Sequence, residues 1–74
     1  MNDEVYAMCK EVYGLTHRQA EVVTYKAIGV DNDTIMEKLG CTKMSIDHAM
    51  RVVKKKVGAP NSDALFFQLG TKLG

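Results

Sequence analysis

The 74-residue sequence predicts an all-α fold of five short helices. Three observations lead there. Apolar residues recur at three- and four-residue spacing and nowhere alternate as a half-buried strand requires. Gly14, Gly29, Gly40, Gly58 and Pro60 break the chain at intervals of about a helix length. Residues suited to open a helix follow several of these breaks.

The first helix is expected over about residues 3–13, with Val5, Cys9 and Val12 at helical spacing and Gly14 as its end. The second opens on Thr16-His17-Arg18-Gln19, a capping box. In it the Thr16 hydroxyl accepts from the Gln19 amide and the Gln19 side chain reaches back. Ala20, Val23 and Ala27 form its apolar stripe, and Gly29 supplies a left-handed stop. Asp31 caps a third helix over about 32–39, with Ile35 and Leu39 inward. Thr42 caps the fourth, over 43–57, where Ile46, Met50, Val53 and Val57 form one stripe before Gly58 and Pro60. The fifth runs over 62–69, from Asn61 or Ser62 to Gly70, and carries Ala64, Leu65, Phe66, Phe67 and Leu69.

Apolar residues make up 46% of the chain, which excludes a disordered tail. No apolar run approaches the roughly 18 to 20 residues of a membrane span. The first residues lack the basic-then-apolar order of a secretory signal. One domain, a cytoplasmic location and no membrane partner are expected. Cys9 and Cys41 stand apart, without disulfide or zinc spacing, and read as reduced, buried thiols. No metal or cofactor is expected, and no acid–base or nucleophile spacing among His17, His48, Cys9 and Cys41 suggests an enzyme.

The net charge of +1 is unevenly spread. Residues 1–40 hold four basic and seven acidic side chains, whereas residues 41–74 hold six basic and two acidic ones. Positive charge gathered in one segment suits an anionic partner. That segment contains the informative pattern: residues 31–57 read as helix, three-residue turn Gly40-Cys41-Thr42, and helix. So short a turn makes the helices cross at a large angle, as in a helix-turn-helix. Ile35, Leu39, Cys41, Ile46 and Ala49 fall where the two must pack, and Gly40 falls where the turn needs positive φ.

The second helix of such a unit leaves one face free to enter a DNA major groove. Here the candidate contacts are Thr42, Lys43, Met44, Asp47, His48, Arg51, Lys54 and Lys55. Arg51 can donate twice to a guanine, Asp47 can accept from a cytosine amino group, and His48 can meet a guanine or a thymine methyl. Lys54 and Lys55 lie where side chains reach phosphates. Thr42 and Lys43, at the helix start, can meet another phosphate. Asp47 and Arg51, four residues apart, can instead pair with each other, and the lysines can simply favour the negative end of the helix dipole.

These residues resemble a known family. Leu15-Thr16-His17-Arg18-Gln19-Ala20-Glu21-Val22-Val23 is similar to the LTxRExEVL opening of LuxR/GerE-type DNA-binding domains, and Ala27-x-Gly29 to their AxG. Asp31 to Ile35 sits on SNKEI, Leu39-x-Cys41-Thr42 on LxIS, Ser45 to Ala49 on TVKxH, and Val53 to Gly58 on IxxKLG. The resemblance covers about residues 15–69. It implies a four-helix LuxR-type helix-turn-helix domain, here with an extra N-terminal helix, in which 43–57 reads DNA and 62–69 makes a dimer. It places base contacts at Asp47, His48 and Arg51 and a phosphate contact at Thr42.

There are departures. Asp47 and Asp33 stand where the family has lysines, replacing attraction to DNA by repulsion. Ala49 stands for a usual His and Met36 for a usual Ala, the large side chain filling space the small one leaves. The connection after Asn61 is one residue short, and Ser62 stands for a common Arg. The receiver or ligand domain that often accompanies the family has no room here, so activity is expected to follow abundance, dimerisation or a protein partner.

The leading expectation is thus a sequence-specific regulator of transcription that binds double-stranded DNA as a homodimer through Ala64, Leu65, Phe67 and Leu69. The competing one is a LuxR-like module that binds another regulator or RNA polymerase and has little affinity for DNA. Asp33, Asp47 and the apolar C-terminal residues motivate it. For the last helix, folding back on 3–13 is the alternative to dimerisation.

Overall fold

The computed structural model describes residues 3–73, with side chains through Thr71. Five α-helices run in order: α1 (Asp3–Glu11), α2 (His17–Ala27), α3 (Asn32–Leu39), α4 (Lys43–Val57) and α5 (Ser62–Leu73). No strand occurs among the described residues. None of these helices is long and apolar enough to cross a membrane.

Helix starts follow their capping chemistry. Both halves of the α2 capping box form: Gln19 N–H donates to Thr16 Oγ1 at 3.2 Å, and Thr16 N–H donates to Gln19 Oε1 at 3.1 Å. Thr34 N–H donates to Asp31 Oδ1 at 2.8 Å at the start of α3, and Ala64 N–H to Asn61 Oδ1 at 2.8 Å at the start of α5. The Thr34 hydroxyl, together with this N–H, holds the Asp31 carboxyl below its ordinary pKa.

The link between α3 and α4 depends on Gly40. Its φ of 62° is left-handed, so its N–H and that of Cys41 both turn back to the Met36 carbonyl. A side chain there would meet open space but a strained backbone. Gly58, at φ 82°, ends α4 in the same way, with its own N–H and that of Ala59 both donating to Lys54 O.

Packing centres on α2 and α4. The former lies against α1 and α4; the latter also against α3 and α5. Being covered on two sides, α2 buries Ala20, Val22, Val23 and Thr24. The Thr24 hydroxyl is satisfied within the helix by donating to Ala20 O at 2.7 Å. Ile35, Ile46 and Val53 are fully enclosed. Met36 is half-buried against the core, and Ala49 is part of that core. A polar latch adds to the contact of α1 with α2: the Tyr6 hydroxyl and His17 Nδ1 share a hydrogen bond, and His17 Nε2 lies 3.2 Å from Glu21 Oε1.

Several expectations need correction. The first helix stops at Glu11, not residue 13, and Val12 turns outward while Met8 takes an inward place. Ala27, the last residue of α2, is exposed although it shares a side with buried Ala20 and Val23, while Val22 and Thr24 are buried. Gly70 does not end the last helix. It is absent from the positive-φ glycines, and α5 continues past it to Leu73. This helix folds back onto α1 and α4, burying Leu65 and Leu69 within the chain. Those two leucines, expected at a dimer contact, therefore belong to the core. Ala64 is half-buried, and Phe67 remains 77% exposed.

Candidate nucleic-acid interface

The register of α4 is fixed by what it buries. Ile46, Ala49, Met50 and Val53 face the core at spacings of three and four. The same periodicity places Met44, His48, Arg51 and Lys55 along the opposite, exposed line, with Lys43 and Asp47 beside it. Lys54 is half-buried on the flank towards α5. One face thus gathers the α4 side chains that the sequence nominated.

At its start, Thr42 Oγ1 accepts from Ser45 N–H at 3.2 Å and also lies 3.2 Å from Ser45 Oγ. The Thr42 hydroxyl is therefore engaged in capping. The first backbone N–H groups of α4 remain available to an anion, as they do at any helix start.

The charges on this face are unpaired. No charged side chain of α4 forms an ion pair among the described residues; on α2, Glu21 Oε1 lies 3.9 Å from Arg18 Nε and 3.2 Å from His17 Nε2. Asp47 and Arg51 do not form the i, i+4 pair that their spacing allows. Lys56 differs from its two neighbours: its ammonium donates to Gln19 Oε1 at 3.2 Å, tying the end of α4 to the α2 capping box. The lysine run therefore divides, with Lys54 and Lys55 free of such a bond and Lys56 engaged.

A groove of about 640 Å³ runs beside this face, between the start of α2 and the first half of α4. Thr16, Arg18 and Gln19 line one side; Thr42, Met44, Ser45, His48 and Arg51 line the other. Arg18 is held there by donating from Nη1 to Leu39 O at 2.9 Å, at the carbonyl end of α3. Sequence reasoning did not place these α2 residues on the α4 face. The capping box marked a helix start but carried no signal of what lay across from it.

Cys9 is fully buried, its pKa pushed up by burial, and Cys41 is half-buried in the turn. Among the described residues, no three His, Cys, Asp or Glu side chains gather to hold a metal. Compared with protein-family models, with curated proteins and with solved structures, the chain matches none.

Proposed function

We propose that this chain is a sequence-specific, double-stranded-DNA-binding regulator of transcription that lays α4 in the major groove. One observation carries the reading: α4 presents His48, Arg51 and Lys55 on a single exposed line, without ion-pair partners, at the end of a three-residue turn. Cations that no carboxylate neutralises are free to meet phosphates and base edges. Arg51 is the guanine reader and His48 its neighbour, Asp47 accepts from a cytosine amino group, and Lys43, Lys54 and Lys55 meet the backbone. The resemblance to LuxR/GerE-type domains supports the same helix and the same positions. A homodimer completes the reading, through the outer face of α5 around Phe67 and Ala64, with Leu65 and Leu69 supporting that helix from within.

Fluorescence anisotropy with labelled duplexes at low salt tests the base-reading role. Arg51→Ala is expected to weaken binding by about 1–3 kcal/mol and to relax preference at one base pair. Equal binding by wild type and Arg51→Ala to every duplex contradicts it.

A second reading, a module that binds another regulator or RNA polymerase, is favoured by Asp47. This unpaired carboxylate stands beside the reading line, near Met44, which is 80% exposed. Asp47→Lys separates the two readings. If wild type binds DNA, the variant loses preference at one base pair and gains non-specific affinity, with a salt slope steeper by about 0.9. If only the variant binds DNA, the second reading stands.

A further inference from the structure

A second cavity, of about 420 Å³, lies where the end of α2, the middle of α4 and the start of α5 meet. Its wall gathers three cations: Lys26 from α2, and Arg51 and Lys54 from α4. Lys26 and Lys54 are half-buried. The Lys26 ammonium is positioned by donating one N–H to Asn32 Oδ1, which leaves two for a ligand. None of the three has an ion-pair partner among the described residues. Like charges brought around one space repel, and the repulsion is stronger where solvent is reduced. An anion in the cavity relieves it.

The chemistry of the wall narrows the anion. Asp47 is the one carboxylate lining the cavity, so its formal charge is two positive. A phosphate monoester carries about −1.5 to −2 near neutral pH and has three strong acceptor oxygens. A nucleic-acid phosphodiester carries a single negative charge and fits this balance less well. The Ser62 hydroxyl adds a neutral donor, while Met50 and Phe66 make the rest of the wall apolar. The volume is that of a small-molecule site.

We propose that this cavity binds a small phosphate monoester whose organic part is apolar or aromatic. The phosphate lies among Lys26, Arg51, Lys54 and Ser62; the organic part lies on Met50 and Phe66. The cavity shares Asp47, Arg51 and Lys54 with the face proposed for DNA, and its test therefore uses no DNA.

Phenyl phosphate is the probe, added to the ¹⁵N-labelled protein without DNA and followed by NMR. Saturable shifts at Met50, Lys54 and Ser62 are expected, with contacts from the phenyl ring to the Phe66 ring. Lys26→Gln and Lys54→Gln should each weaken binding about tenfold or more, since each removes a charged hydrogen-bond donor. Circular dichroism checks that the variants keep their helices, and the ring contact tests the site in the wild type independently of them. Dimethyl phosphate, a singly charged diester, should bind much more weakly. Equal binding by the diester would overturn the proposal and give the cavity to a nucleic-acid backbone. Shifts that do not saturate, or that folded Lys26→Gln and Lys54→Gln variants leave unchanged, would overturn it as well.

Discussion

Asp47 and Arg51 are four residues apart on α4, yet they do not pair. On an exposed helix such a pair is worth only about 0.2–0.5 kcal/mol, little enough for either charge to serve a partner instead. Asp31 is more firmly engaged. Its carboxyl pKa is lowered by the Thr34 hydroxyl and N–H, so its contribution is present above the usual carboxylate pKa of about 3.9 and is lost as pH falls through the lowered value. Protection of the Asn32–Ile35 amides, taken relative to their intrinsic exchange rates, should fall on acidification below about pH 4. Asp31→Asn, which cannot titrate, should flatten that response, and a parallel response in both proteins would rule out the cap as its source. The thiols divide by burial. A maleimide should label Cys41 in the native protein and Cys9 only after denaturation, as mass spectrometry of the labelled peptides would show. Single residues were legible where their partner is local: Thr16, Asp31 and Thr42 each bond three residues ahead. Arg18 on Leu39 O and Lys56 on Gln19 were not, because their partners stand 21 and 37 residues away.

Helices α3 and α4 match their expected limits because each is closed by a cap at one end and a left-handed glycine at the other. The limits of α1 and α5 were less legible. Gly70 resembles the glycines that end helices, but the backbone there stays helical. The heptapeptide Ala64–Gly70 is apolar on more than one side, so spacing alone did not say which leucines face the core. Contact with both α1 and α4 decides it in favour of Leu65 and Leu69. Leu65→Ala should therefore cost about 2–5 kcal/mol in urea unfolding. Phe67→Ser, on the exposed side, should change stability by no more than about 0.5 kcal/mol, yet lower the apparent mass in light scattering at high micromolar concentration. A monomeric wild type under those conditions would remove the α5 dimer. A Leu65→Ala variant as stable as wild type would contradict the inward assignment of that helix.

For the molecule as a whole, size bears on how DNA would be engaged. The longest extent of the chain is 30 Å. Successive major grooves on one side of a duplex recur about every 34–36 Å. One copy therefore covers one groove, and reading two half-sites takes two copies. Residues 41–74 are net positive and residues 1–40 net negative, so on the proposed reading the field would both attract and orient a duplex. The measurement that bears most directly on DNA binding by α4 is the affinity of the wild-type protein for a short duplex across a series of salt concentrations. Each phosphate neutralised by a lysine or arginine contributes about −0.9 to the slope of log K against log salt. The backbone contacts assigned to Lys43, Lys54 and Lys55 predict a linear fall with a slope of a few such units, made shallower by Lys43→Ala or Lys55→Ala. No binding at the lowest salt, or an affinity indifferent to salt, would contradict it.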